Sequence, residues 1–318
     1  MVRRFGLLGG FACCVLWAPQ ASAYCRQHSC QDEFDTHGNP TYECARDEQG
    51  CIIEGNELFY SSPCLSYGIA KGTGQNLGVS DKTLNQIVKS AFARWKAVDC
   101  GKGKHPSFDM QSVGVVATDE PSYCRVTDLN LGVWFLDPTW PKKLDVSALG
   151  YTTSTYAQDD AEVFDADVEI NAAKVKQDFA GAPIEDVLLS IVTHEAGHVL
   201  GLAHSNDADA VMATSYGRFD LIGRELTQDD IDGVCSIYPP GDEPTCSAAG
   251  VSEAALDPDA CNDAFVEEVE SRNQEQSGCA LAPRGTAPNG SQSAALGMGL
   301  GLIGTWAARR RTRRQSGC

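Results

Sequence analysis

The sequence is short of basic residues, histidine and methionine, and each shortage narrows the classes of protein it can encode. Lysine and arginine total 25 against 43 acidic residues, giving a formal net charge of −18. Nucleic-acid binding needs a concentrated basic surface, so this balance excludes nucleic acid as a partner. Six histidines and four methionines are so few that a cluster of either stands out. The sequence also lacks the CxxC pairs of a zinc ribbon and the loop spacing of an EF-hand.

The first 23 residues have the three regions of a secretory signal peptide. Arg3 and Arg4 precede an apolar run over residues 5–17, and the small residues Ala21-Ser22-Ala23 follow. We therefore expect cleavage after Ala23, which would start the mature chain at Tyr24. The alternative is a buried first helix, which the small-residue cleavage site disfavours.

Export would place the cysteines in an oxidising compartment, where disulfides are stable. Of fourteen cysteines, two lie in the predicted signal peptide and Cys279 and Cys318 lie in the C-terminal tail. Ten remain, an even number that fits complete pairing, although spacing does not determine their connectivity. These ten are Cys25, Cys30, Cys44, Cys51, Cys64, Cys100, Cys124, Cys235, Cys246 and Cys261.

The C-terminal segment combines a Gly-Cys pair, an apolar stretch and a basic end. Gly278-Cys279 precedes a glycine-rich apolar stretch over 294–308, and five arginines follow within residues 309–314. This layout resembles a MYXO-CTERM sorting signal, which implies processing at Cys279, transient membrane contact and attachment at the cell surface. The stretch spans about 22 Å as a helix, short of a hydrocarbon layer of roughly 30 Å. A short anchor retained in the inner membrane is the alternative.

Half of the histidines occur in one run, HEAGHVLGLAHS, at residues 194–205. Because a helix repeats every 3.6 residues, His194 and His198 project from one face and can bind one zinc ion. Gly201 can adopt a positive φ, end the helix and bring His204 back as a third ligand. Glu195 can reach a water in the fourth position, which makes it the candidate general base. A surface helix with a histidine pair is the alternative for HExxH alone.

The run resembles the signature of the metzincin metallopeptidases, HExxHxxGxxH followed by a methionine turn. Met212 matches the turn methionine, and Ser205 is typical of the matrixin family. The resemblance covers residues 59–240 and implies a zinc endopeptidase that acts on extended polypeptides. Thr214 stands where matrixins commonly have proline, whereas Tyr216 matches, and both would line the wall of the substrate pocket. The PRCGxPD latency segment and the histidines of a second, structural zinc are absent.

The same resemblance implies an α/β fold of the α+β metzincin type. It would contain a twisted five-stranded mixed sheet with one antiparallel edge strand, and three helices. The residue patterns predict a helix after the N-cap Ser80, a second that begins at Pro183 and a third over 228–237 capped by Thr227. Strand patterns occur at 131–136 and at 148–156. The resemblance implies that residues 148–154 are the edge strand that lines the cleft.

Apolar and acidic residues alternate from 164 to 170. This alternation predicts a strand with one face on the core and its carboxylates toward solvent. Asp165 and Asp167, with Asp159 and Asp160, lie where the resembled family often binds calcium. Calcium is therefore a second candidate ion beside zinc, and solvated carboxylates are the alternative.

We predict five segments: a signal peptide (1–23), a cysteine-rich extension (24–58), the metallopeptidase domain (59–240), an acidic linker or stalk (241–278) and the sorting signal (279–318). The extension either braces the domain or covers the cleft. The predicted function is that of a secreted or surface-attached zinc endopeptidase of extracellular proteins, with the oligomeric state left open. The alternatives are an adhesion or matrix-binding module with a structural zinc, which the unligated Glu195 disfavours, and a self-processing protease.

Overall fold

The protein is described by a computed structural model that covers most of the chain between residues 23 and 246. The described residues are 23–35, 39–116, 131–136, 147–157, 160–216, 220–246 and 280–281. All of them belong to one unit, Met1–Ala282. Most of the predicted signal peptide, the apolar tail and the cysteines Cys124, Cys261 and Cys279 lie outside the described residues.

A five-stranded sheet forms the centre of the fold. Its strands are β3 (Cys64–Ala70), β4 (Asp109–Val116), β5 (Leu131–Leu136), β6 (Gly150–Tyr156) and β7 (Val163–Asn171). Their order is β4-β3-β5-β7-β6, and all neighbours are parallel except the edge strand β6, which is antiparallel to β7. The predicted strands at 131–136 and 148–156 therefore lie in this sheet.

In the described part of the chain, four α-helices accompany the sheet: α1 (Asp81–Lys96), α2 (Ala172–Asp178), α3 (Ile184–Val199) and α4 (Gln228–Ile237). The predicted caps form, since Ser80 accepts a hydrogen bond from the Thr83 amide and Thr227 closes a capping box with Asp230. Helix α3 packs against α1 and β6. Its sequence 190–199 is buried on every side, so it is a core helix rather than a surface one.

The mixed α/β class is confirmed, but the expected number of helices is wrong. The described residues form four α-helices where three were expected, and two small sheets accompany the large one. These pair β1 (Glu33–Phe34) with β2 (Pro40–Tyr42), and β8 (Ser215–Tyr216) with β9 (Ala280–Leu281). Helix α2 has only seven residues and begins directly after β7, so its apolar positions are too few to show a helical period.

The prediction that the β7 carboxylates face solvent is wrong. Ala166, Val168 and Ile170 lie in the core as expected. However, Asp165, Asp167 and Glu169 are only 3%, 2% and 1% exposed. Alternation in a sequence gives the period of a strand, but it does not tell whether the second face is also covered.

Four disulfides close the described part of the chain: Cys25–Cys51, Cys30–Cys44, Cys64–Cys246 and Cys100–Cys235. Eight of the ten cysteines expected to pair do so, and the other two lie outside the described residues. Two of the bridges join cysteines more than 130 residues apart, which fastens the two ends of the domain to each other. Within the described ranges, no helix combines the length and the apolar character that crossing a membrane requires.

Candidate metal centre

Helix α3 and the loop after it bring three histidines together. The ring centroids of His194, His198 and His204 lie 4.7–5.4 Å from one another. Each can offer one nitrogen such that all three lie within 4.8 Å, and no other group of three His, Cys, Asp or Glu does so in the described part of the chain. A set of three imidazoles suits zinc, which accepts nitrogen ligands and keeps a fourth position open at catalytic sites.

Backbone carbonyls fix the orientation of two of the rings. Nδ1 of His194 lies 2.6 Å from the carbonyl oxygen of Val211, and Nδ1 of His198 lies 2.8 Å from that of Leu202. A proton on Nδ1 then leaves the acceptor lone pair on Nε2, and the Nε2 atoms of His194 and His198 approach to 3.1 Å. Nε2 of His204 is buried and has no hydrogen-bond partner among the described residues. An unpaired buried nitrogen costs about 1–3 kcal/mol, and a metal ion would relieve that cost.

Burial also keeps the three imidazoles neutral. It lowers the pKa of His194 to about 3 and that of His204 to about 4, and it lowers the pKa of His198 well below its usual value. A second cause for His194 and His198 is the electrostatic influence of the neighbouring histidines. Neutral imidazoles are the protonation state that binds a metal.

Gly201 ends the helix, as its position in the motif predicts. Its φ is +98°, a value that favours glycine, and its amide donates to the carbonyl of His198 at 2.9 Å. The Leu202 amide donates to the carbonyl of Gly197 at 3.0 Å, which closes the last turn. The chain then reverses and brings His204 beside the two helical histidines.

Met212 packs against the helix that carries the first two histidines. A Cβ on Gly197 would lie 2.2 Å from Sδ of Met212, so only glycine permits this contact. The carboxylate of Asp230 accepts hydrogen bonds from the amides of Val211 and Met212 at 2.8 and 3.0 Å. Sequence reasoning missed this role of Asp230, although its place in the Thr-x-x-Asp capping box was a signal.

The candidate base Glu195 is completely buried and lies against the edge strand β6. The hydroxyl of Thr152 donates to Oε2 of Glu195 at 2.7 Å. A Cβ on Gly150 would lie 2.5 Å from Oε1, so the strand can approach the carboxylate only because residue 150 is glycine. Neither contact has a local sequence signal, since Thr152 and Glu195 are 43 residues apart.

The N-terminal extension braces the loop that carries His204. Arg26 forms a β-bridge with Leu202, the Gln27 amide donates to the Gly201 carbonyl and the Ala203 amide donates to the Cys25 carbonyl, the last two at 2.9 Å. These contacts support the role of the extension as a brace of the domain, which was considered beside the role of covering the cleft.

A second set of contacts joins the start of the described chain to α4. The carboxylate of Asp229 accepts hydrogen bonds from the amides of Ala23 and Tyr24 at 2.7 and 2.8 Å. It also accepts one from the hydroxyl of Ser205, the residue after His204, at 2.6 Å. Asp229 therefore links α4, the N-terminal extension and the loop after α3 that carries His204 and Ser205, which we call the metal-site loop.

The remaining predicted site residues lie elsewhere. Thr214 is exposed and precedes β8, and Tyr216 is in that strand. Asp165 and Asp167 are buried in β7 and are not part of the histidine cluster. The predicted processing residue Cys279 is outside the described residues.

The fold and the cluster together define a metal-centre type: two buried imidazoles from a helix and a half-buried one from its loop, all three neutral, with the carboxylate of Glu195 directly after the first of them. Comparison with known proteins finds a family match over this part of the chain. Residues 146–239, which include the whole cluster, match the family model described as matrixin.

Curated relatives match over shorter stretches. Matrix metalloproteinase-27 of Tupaia belangeri is 51% identical over 51 residues, which are 16% of this chain and 10% of that protein. Macrophage metalloelastase of Oryctolagus cuniculus is 49% identical over 51 residues, 16% and 11% of the two chains. Stromelysin-1 of Rattus norvegicus is 40% identical over 74 residues, 23% and 16%. The matched segment spans only about a tenth to a sixth of the length of these relatives.

Proposed function

We propose that the protein is a zinc-dependent endopeptidase. The observation that carries the proposal is the pairing of a neutral three-histidine cluster with Glu195, which Thr152 holds by a hydrogen bond. His194, His198 and His204 would hold the zinc ion. When bound, zinc supplies a Lewis acid that polarises the scissile carbonyl and makes water more acidic.

Glu195 moves the proton in this scheme. Its carboxylate accepts a proton from the attacking water and later delivers it to the departing amine. The Thr152 hydroxyl holds the carboxylate through Oε2 and so orients it for the transfer. Complete burial of Glu195 keeps bulk water away, so the proton passes between the carboxylate and the reacting atoms.

Strand β6 is suited to hold an extended substrate. It lies at the edge of the sheet and carries Gly150 and Thr152, which both lie against the carboxylate of Glu195. An extended peptide can pair with the backbone of an edge strand, which aligns a scissile bond with little dependence on side chains. Extended segments of extracellular proteins are the proposed substrates, and the N-terminal signal and C-terminal sorting patterns support secretion and surface attachment.

A calcium ion is proposed to accompany the zinc, bound near Asp165 and Asp167. Oδ2 of Asp167 is buried and has no hydrogen-bond partner among the described residues. Burial and the charges of Asp165 and Glu169 raise the pKa of Asp167 well above its usual value. A cation at this place would offset both effects. Selective removal of calcium should lower the melting temperature, and an unchanged melting temperature would contradict the proposal.

Two substitutions test the peptidase proposal. Glu195→Ala should keep one zinc per chain and lose about 10²- to 10⁴-fold in kcat, because only the proton transfer is removed. His198→Ala should lose both zinc and hydrolysis, because a ligand is removed. Zinc is counted by atomic emission, and hydrolysis is followed with a diverse peptide library. Glu185→Ala is the matched control, since Glu185 is an exposed glutamate in the first turn of the same helix.

The outcomes separate the proposal from its alternatives. A Glu195→Ala protein that cleaves peptides at the parental rate excludes the role given to that carboxylate. A zinc-loaded parent that cleaves no member of the library favours the adhesion or matrix-binding module. Cleavage of the chain itself but of no added peptide, absent in Glu195→Ala and visible as new chain termini, favours the self-processing protease.

A further inference from the structure

A segment from far along the chain pairs with the strand that follows the methionine turn. Strand β9 (Ala280–Leu281) lies parallel to β8 (Ser215–Tyr216), with Ala280 opposite Ser215 and Leu281 opposite Tyr216. Neither the motif nor the composition predicts this pairing. It places two residues of the tail along the backbone edge of β8.

Strand β8 is tied to the metal-site loop. The Ser205 amide donates to the Met212 carbonyl at 2.7 Å, and Ser205 forms a parallel bridge with Ala213. Ser205 follows His204 directly, and β8 begins two residues after Ala213. The backbone edge of β8 therefore starts beside the loop that supplies the third histidine. A polypeptide that extends away from the histidine cluster along β8 can form main-chain hydrogen bonds with the backbone edge of this strand.

From this placement we propose that strand β9 (Ala280–Leu281) is an intramolecular inhibitor that occupies the β8 side of the substrate cleft. The proposal rests on the peptidase function proposed above. Parallel strand pairing uses main-chain groups, so the tail takes the place of a substrate backbone without needing a matching side chain. Loss of the tail segment from β8 would open that side of the cleft to other polypeptides.

Because β9 belongs to the same chain as the candidate site, a contact of only two residues can have a measurable effect on catalysis. Cys246 is fixed to Cys64 by a disulfide, and Ala280 is 34 residues further along the chain. A tethered segment competes at an effective concentration of about a millimolar. A two-residue strand with a dissociation constant of roughly 0.1–1 mM would then lower kcat/KM by about two- to tenfold.

The experiment uses the full zinc-loaded chain with two proline pairs. Ala280→Pro with Leu281→Pro removes both amide donors of β9 and so weakens the pairing, whichever amide is bonded. Thr286→Pro with Ala287→Pro is the matched control, a pair of prolines outside the paired strand. Hydrogen–deuterium exchange of the segment 213–216 reports the contact without any need for catalysis. Hydrolysis of a fluorogenic peptide reports inhibition, and intact mass shows that every protein keeps its tail.

We expect faster exchange in 213–216 and a two- to tenfold higher kcat/KM for the β9 pair than for the control. Equal exchange overturns the contact, and faster exchange with an unchanged kcat/KM overturns the inhibitory role. If exchange rises but no protein, the parent included, cleaves any peptide, the peptidase proposal fails. In that case the inhibitory role falls with it, and the contact alone stands.

Discussion

Gly150 is the residue on which the geometry of the candidate base depends most directly. It contributes no side chain to the site, yet an added Cβ would lie 2.5 Å from Oε1 and 2.9 Å from Cδ of Glu195. Because real Cβ atoms do not come so close, either the carboxylate or the start of β6 must move. Both carry the proposed chemistry, since one transfers the proton and the other aligns the substrate.

Gly150→Ala should therefore lower kcat by about 10- to 100-fold while zinc stays bound, because a displacement of about 1 Å at a reacting group has an effect of this size. Steady-state kinetics measure kcat, and the zinc content shows whether the metal stays bound. Gly241→Ala is the control, as its added Cβ would meet its nearest neighbour at an ordinary 3.6 Å. An alanine at position 150 that leaves kcat at the control value would show that the contact is not needed for positioning.

The metal site could be predicted from sequence to the extent that its contacts are local. His194, His198, Gly201 and His204 lie within eleven residues, so helix period and glycine conformation place them. Thr152, Gly150 and Asp230 reach the site from other elements, and their contacts depend on how strand and helix pack. Residues of separate elements come together only when the chain folds, so their spacing in the sequence does not predict these contacts.

At the scale of elements, β7 shows what an alternating sequence pattern predicts and what it does not. Helices α1 and α4 begin at the residues that their capping patterns predict, because a cap is a local hydrogen bond. The alternation in β7 also predicts the strand and its core face. It says nothing about what covers the acidic face, so the burial of three carboxylates emerges only from the fold.

This burial makes a prediction about pH. The pKa of Asp167 is raised in the folded protein, first by burial and then by Asp165 and Glu169, and the buried Tyr60 phenol is a further neighbour. The folded state then holds the proton that the unfolded state releases above its usual pKa of 3.8. The stabilisation by this proton is therefore complete below pH 3.8 and is lost as the pH rises through the pKa of Asp167 in the folded protein. The free energy of unfolding falls by up to about 1.4 kcal/mol per pH unit in this range.

Asp167→Asn should remove this part of the pH dependence in calcium-free buffer. Denaturant unfolding at pH 5, 6, 7 and 8 measures the slope of the free energy of unfolding against pH. Asp242→Asn serves as the comparison, because Asp242 is an exposed aspartate that is not among the candidate calcium ligands. Parallel slopes for the two variants would contradict the prediction, and added calcium should flatten the slope of the Asp242→Asn protein.

At the scale of the whole molecule, the domain is held together by contacts between parts of the chain that are far apart in sequence. Cys64–Cys246 and Cys100–Cys235 close loops of 182 and 135 residues. Asp229 in α4 binds the amides of Ala23 and Tyr24. The metal-site loop lies between these contacts and inherits its position from them, since the extension and α4 both bond to it.

The long disulfide should therefore stabilise the domain more than a short one does. A cross-link lowers the entropy of the unfolded chain in proportion to the logarithm of the loop length, which gives about 5 kcal/mol for Cys64–Cys246 and about 3 kcal/mol for Cys30–Cys44. Cys64→Ala with Cys246→Ala should thus cost about 2 kcal/mol more in the free energy of unfolding than Cys30→Ala with Cys44→Ala. Reversible denaturant unfolding of the two proteins at one pH gives the difference. Equal losses would mean that strain or residual structure, rather than loop length, sets the contribution of the bridge that joins β3 to the end of the domain.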